Sequence, residues 1–291
     1  QAVSTGIKNT LIGGSAGYSL TTGGNNVAVG YGALDANTGG QLNTAIGYNA
    51  LTAQNADAYN TAVGANSMEA TTSGAYNVAV GRLSLAALTT GESNVAVGYE
   101  ALKTEDAHGK NVAIGYQALE AQDAGTNAYN VAVGYDSGTN ISTGPYNTLI
   151  GGLAGDALTT GGHNVAVGQG ALSTEDTGGK NVAIGSNSLY ALDAGADAYN
   201  VAVGYQAGYA VSTGVYNTLI GGQAGDALTT GGSNVAIGYA ALSAEDAHGR
   251  NVAIGYGALN VQDAGADAYN VAIGYAAGGV VSTGTKNVII G

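Results

Sequence analysis

The chain has no cysteine, phenylalanine or tryptophan, one proline and one methionine in 291 residues. Without cysteine there is neither a disulfide framework nor a thiolate metal site, and redox chemistry carries no signal of compartment. Without Phe or Trp a thick globular core is excluded, because large side chains are what fill one. Positive charge is scarce as well: seven Lys and Arg stand against 20 Asp and Glu, a formal net charge of −13. A surface of that sign repels phosphate backbones, so nucleic acid is not an expected partner. No apolar run approaches the roughly 20 residues that cross a bilayer as a helix, and no membrane insertion is expected of this segment.

What is present is glycine, 51 residues of it, and a repeat. The phrase Asn26-Val27-Ala28-Val29-Gly30 returns with its Asn at 9, 26, 43, 60, 77, 94, 111, 130, 147, 164, 181, 200, 217, 234, 251, 270 and 287. Neighbouring copies lie 17 residues apart, or 19 for the intervals that start at Asn111, Asn181 and Asn251, and a Gly always stands four places after the Asn. A short fixed period is the signature of a solenoid.

With the Asn as offset zero, offset one is always Val or Thr and offset three always Val or Ile. Offset two is Ala except at Leu11, Leu149, Leu219 and Ile289. β-Branched residues at alternate positions specify a short strand with offsets one and three on one face. The larger pair is expected to point inward and stack into the core, leaving the Ala as a smooth outer strip that neighbouring chains cover. Offset seven is Ala or Ser and offset eight Leu, Met or Gly, which reads as a second short strand or bend carrying one apolar plug per coil. Offset four is the corner. Three residues before the Asn stands Gly, or Asp57, Asp197, Asp267, Asn127, His108 or His248, and this slot is expected to be the left-handed turn position.

A 70-residue period overlays the short one. The expected architecture is therefore all-β, a single parallel β-solenoid over 1–291 built of coils of 17–19 residues. Its four-coil blocks are 9–76, 77–146, 147–216 and 217–286, with a last strand at 287–291. The extra two residues fall in segments such as Asp193-Ala194-Gly195-Ala196-Asp197 and should bulge outward from the ladder. The chain starts and stops inside its repeat, and is expected to be a segment of a longer fibre or a processed product.

Asn in one place on every rung, as at Asn26, Asn43, Asn94, Asn111, Asn164, Asn181, Asn234 and Asn251, has two structural readings. Its amide bonds the rungs above and below as a ladder, or it satisfies the local turn through its own backbone.

The phrases Asn94-Val95-Ala96-Val97-Gly98-Tyr99-Glu100-Ala101-Leu102 and Asn111-Val112-Ala113-Ile114-Gly115-Tyr116-Gln117-Ala118-Leu119 resemble the head repeats of trimeric autotransporter adhesins of the YadA-like type, and equally repeats of phage tail fibres. The resemblance implies a left-handed β-roll, three identical chains side by side, and extracellular display on a cell surface or virion for attachment to a host. The reading from a different class is a purely structural filament or sheath subunit that binds no receptor. An ice-binding face is disfavoured, since Thr four residues before the anchor occurs at Thr143, Thr160 and Thr177 but not on every rung.

Catalytic and cofactor chemistry finds no foothold. No nucleophile, base and orienting group recur together, and no Lys-Ser/Thr follows the Gly-rich strings such as Thr159-Thr160-Gly161-Gly162. No enzyme activity, cofactor or metal is expected. His108, His163 and His248 read as turn or surface residues, and the pairs Glu105-Asp106, Glu175-Asp176 and Glu245-Asp246 as solvated turns. Asp193 with Asp197, and Asp263 with Asp267, form the weaker alternative of a hard-cation turn. Tyr is the most suggestive residue. It fills offset five on three successive rungs at Tyr99, Tyr116 and Tyr135, and again at Tyr239, Tyr256 and Tyr275. These rows either shield the ladder's edge or an interchain seam, or contact a host glycan, a protein receptor being the other candidate partner.

Overall fold

The computed structural model describes residues 5–291, so the first four residues of the expected solenoid lie outside the described residues. Two compact units are present, Gln1–Pro145 and Tyr146–Gly291. The first carries β1 (Thr10–Ile12), β2 (Val27–Val29), β3 (Thr44–Ile46), β4 (Thr61–Val63), β5 (Val78–Val80), β6 (Val95–Val97), β7 (Val112–Ile114) and β8 (Val131–Val133). The second carries β9 (Thr148–Ile150), β10 (Val165–Val167), β11 (Val182–Ile184), β12 (Val201–Val203), β13 (Thr218–Ile220), β14 (Val235–Ile237), β15 (Val252–Ile254), β16 (Val271–Ile273) and β17 (Val288–Ile290). Each unit is a parallel β-solenoid with one strand per coil, and no helix forms among the described residues.

Within each unit successive strands pair in parallel and in register, Val95 opposite Val112 and Val165 opposite Val182. The long coils keep that register: Val182 pairs with Val201 although 19 residues separate them. Their extra residues leave the ladder undisturbed, and Gly195 at the tip has nothing within contact distance of a Cβ position. Offsets seven and eight form a turn, not a second strand.

The faces of the strand are the reverse of the expectation. Ala28, Ala96, Ala166 and Ala236 at offset two are completely buried, whereas the flanking β-branched residues are only partly covered and Ile114 and Ile184 are each 38 % exposed. The cause is the width of the coil. A lap of 17 residues closes so tightly that its strand faces the turn at offset eight across the space of one large side chain, which Leu34, Leu102 or Leu172 fills completely. Two inward Val or Ile per rung would not fit beside it. The exceptions follow the same rule, because Leu149 and Leu219 at offset two are also fully buried, and offset eight of the same coil is then Gly155 or Gly225. A Cβ added at Gly225 would stand 2.8 Å from Leu219 Cδ2. Coils anchored at Asn130, Asn200 and Asn270 are small at both offsets, and beside Gly208 the space is taken by Leu219 of the next coil, whose Cδ1 would stand 2.7 Å from an added Cβ.

The left-handed position is also displaced from its expected slot. The residue directly before each anchor has positive φ, as at Lys180 (62°), Tyr199 (55°) and Tyr216 (59°). Its N–H bonds the preceding coil, Lys180 to Gly162 O at 3.1 Å and Tyr216 to Ala198 O at 2.8 Å, which holds an L-residue where it would otherwise be strained. Three residues before the anchor Gly serves close approach instead: a Cβ on Gly161 would come within 2.3 Å of Gly178 O. At the corner both effects meet, since Gly185 has φ of 132° and its Cβ would lie 2.3 Å from Gly204 O.

Candidate functional site

The anchor Asn are buried and bond from coil to coil. Asn94 Oδ1 accepts the N–H of Asn111 at 3.1 Å, and Asn94 Nδ2 donates to His108 O at 3.0 Å. Asn26, Asn43, Asn164, Asn181 and Asn234 likewise accept the N–H of the next anchor, at 2.9 to 3.1 Å, and Asn251 does so for Asn270. The amide therefore ties each rung to its neighbour, as the ladder reading expects, chiefly by side chain to backbone, and Asn181 Nδ2 also bonds Asn164 Oδ1 at 3.3 Å and the local Gly179 O at 3.1 Å.

A second buried column stands six residues before the anchor, or eight in the long coils. Leu158, Leu228, Ile141 and Val211 occupy it in apolar coils. Glu105, Glu175 and Glu245 occupy it elsewhere and are completely buried, as are Gln54, Gln122 and Gln262. This corrects the reading of the acidic pairs as solvated turns: the Asp of each pair faces outward, but the Glu takes a core position that Leu158 and Leu228 hold in other coils. Each Glu caps the turn three residues on, with Oε1 accepting His108 N at 3.0 Å, Gly178 N at 2.7 Å or His248 N at 3.2 Å.

Burial pushes the Glu105 carboxyl up to about 7, reinforced by Asp123 and Asp106 and opposed by the His108 N–H bond. Glu175 and Glu245 are raised for the same first reason. Between 4.5 and about 7 the folded chain keeps a proton that the unfolded chain has released. The contribution of Glu105 to stability is thus most favourable below pH 4.5 and is lost as pH rises to about 7. Urea unfolding in chelator-containing buffer should show Glu105→Gln reducing the fall in stability between pH 4.5 and 8 by about 3 kcal/mol, at 1.36 kcal/mol per unit.

The acidic residues regroup across coils. Glu105, Asp106 and His108 meet Asp123 of the next coil, Glu245, Asp246 and His248 meet Asp263, and Glu175 and Asp176 meet Asp193, each set offering ligand atoms within 4.8 Å of one another. The histidines read as isolated turn residues thus join carboxylates. In the long turns Asp197 pairs with Lys180 at 2.6 Å and Asp267 with Arg250 at 3.0 Å. Lys180 also lies over the ring of Tyr199 at 5.0 Å, and Arg250 over that of Tyr269 at 5.3 Å. His163 stacks on Tyr146 at 4.9 Å.

The Tyr triplets form continuous stacks. Tyr99, Tyr116 and Tyr135 have centroids 5.2 Å apart at each step, and Tyr239, Tyr256 and Tyr275 are 5.5 and 5.2 Å apart, with interplanar angles of 9° to 21°. Arg82 sits over the outer side of the first stack at 5.5 Å from Tyr99. Inside a stack each face is turned to the next ring, so solvent meets edges and hydroxyls, with the ring faces spent on one another. No protein-family profile matches this chain, and no curated protein matches it.

Proposed function

We propose that the chain is a non-enzymatic fibrous surface protein, a side-by-side homotrimer of β-solenoids that serves as a shaft or head for attachment to a host surface, extracellularly, on a cell or a virion. The observation that carries this reading is the column of half-covered Val and Ile on the outer face of every strand, typified by Ile46, Ile114, Ile150, Ile184 and Ile220. Within each unit the apolar side chains aligned rung after rung make a strip, and a strip of that kind marks an association surface. A second copy presents the same spacing and the same small repeat, so it matches along the whole strip. Three chains with many rungs then convert weak contacts into avidity.

The resemblance to YadA-like head repeats and tail-fibre repeats supports the threefold arrangement and the adhesive role. The Tyr stacks supply the contact surface of this proposal, offering rows of hydroxyls and ring edges to a glycan. The 28.2 kDa chain should sediment at three times its mass. Ile114→Lys with Ile184→Lys should reduce it to single chains that lose binding on a glycan array. Tyr239, Tyr256 and Tyr275 changed together to Ser should lose binding with the trimer mass kept. A wild-type chain that sediments as a monomer defeats the proposal.

A further inference from the structure

The regrouped carboxylates and imidazoles have a chemistry that attachment does not use. We propose that Glu105, Asp106, His108 and Asp123 form one site for a divalent transition cation of the zinc class, and that Glu245, Asp246, His248 and Asp263 form a second. The donor set in each is one imidazole nitrogen and three carboxylate oxygens, all within 4.8 Å of one another. Three carboxylates at that separation repel, by about 1 kcal/mol per pair in water and several-fold more near a protein surface. Among the described residues their only ion-pair partner is the cluster's own imidazole, His108 to Glu105 and His248 to Glu245. A divalent cation between them turns each repulsion into a pair of attractions.

The buried members point to a ligand independently of the acidity. Glu245 is completely buried, and its Oε2 has no hydrogen-bond partner. At the first site the equivalent oxygen of Glu105 accepts Asn111 Nδ2 at 3.4 Å, but Asn251 Nδ2 also lacks an acceptor, so the Glu245 oxygen is free to ligate. The Nδ1 atoms of His108 and His248 are closed off from solvent and make no hydrogen bond, and they stand 3.9 and 3.6 Å from Glu105 Oε1 and Glu245 Oε1. A buried polar atom without a partner is costly, and metal ligation satisfies the oxygen and the nitrogen together.

The imidazole decides the kind of ion. One nitrogen with three carboxylate oxygens suits four-coordinate Zn²⁺ or its neighbours, whereas Ca²⁺ takes six or more oxygens. The third cluster supplies the comparison within the same chain. Glu175 gathers Asp176 and Asp193, but Gly178 stands where the histidines stand, and Glu175 Oε2 is occupied by the N–H of Ala194 at 3.3 Å. That cluster lacks the nitrogen donor, which is what separates it from the two proposed sites, and it is not a zinc site. In the two proposed sites three ligands come from a 17-residue coil and the fourth from the long turn of the coil that follows. The ion would staple the long turn to the ladder at the place where the repeat is interrupted.

The full-length chain, stripped with chelator and titrated calorimetrically with Zn²⁺, should bind two ions. His108→Gln with His248→Gln should weaken both by at least about tenfold, in line with the effect of losing part of a metal shell. Glu105→Leu with Glu245→Leu should abolish binding in a folded chain, since Leu228 already fills the same position one coil earlier. Co²⁺ substituted for Zn²⁺ should give the intense visible absorption of a four-coordinate site, lost in the His variant. Fewer than two ions bound, or two ions held with unchanged affinity by the His variant, overturns the proposal.

Discussion

Replacing Asn164 by Ala is expected to lower the unfolding free energy by about 4 kcal/mol, at 1–3 kcal/mol for each buried polar group left without a partner. Asn164 Oδ1 accepts the N–H of Asn181 at 3.0 Å, and Asn164 Nδ2 donates to Gly178 O at 3.1 Å. Both partners are backbone groups of the next coil in a completely buried row, so truncation strands a donor and an acceptor that water does not reach. The loss should appear in the midpoint of a urea titration followed by circular dichroism. Asn164→Asp should be similarly damaging, because it keeps the acceptor but replaces the donor with a buried charge. A loss below about 1 kcal/mol for the Ala variant would mean that the coils are held by strand pairing alone, and that the Asn row is incidental.

The rung spacing was legible because it depends only on where residues recur. Asn, β-branched pair and Gly mark one lap each, and the long turns could be placed outside the ladder since the anchors on either side of Asp193 to Asp197 keep their phrase. The inward face was not legible from the strand alone. Three residues that are apolar on both sides give period two without a sign, and size suggested the wrong one. The sign was present elsewhere, in the exchange of Leu149 and Gly155 for Ala166 and Leu172 between neighbouring coils. Two positions that trade one large side chain must share one space.

Burial of Glu105 and Glu245 was hidden for a related reason. Beside Asp106 and Asp246 they look like a charged turn, and only the alignment with Leu228 one lap before Glu245 and Gln262 one lap after it reveals an interior column. Residue type could not show the left-handed slot, because beside Asn25 and His163 it is filled mostly by Tyr, Lys, Ser, Leu and Arg, which do not favour positive φ. There the contacts between coils override local preference. The same contacts bring Asp123 to Glu105, a meeting that no spacing within one lap implies.

The shared space inside each lap makes the last prediction. Leu219 is completely buried and lies against two glycines, since a Cβ on Gly208 would be 2.7 Å from its Cδ1 and one on Gly225 would be 2.8 Å from its Cδ2. Leu219→Ala therefore empties a volume that no neighbour can enter, and is expected to destabilise by about 3–5 kcal/mol, the upper range for Leu→Ala in a rigid core. Gly225→Leu alone overfills the same space and should also destabilise, by about 1–3 kcal/mol. Combined, they reproduce the next coil, where Ala236 and Leu242 hold these offsets. Leu242 has φ of 55° against 57° for Gly225, so the backbone already accepts a Leu there. The double variant should recover most of the loss in urea unfolding, a coupling of at least about 2 kcal/mol. Additive losses would show that the two offsets do not share one cavity, and would remove the physical reason given for the inward-facing alanines.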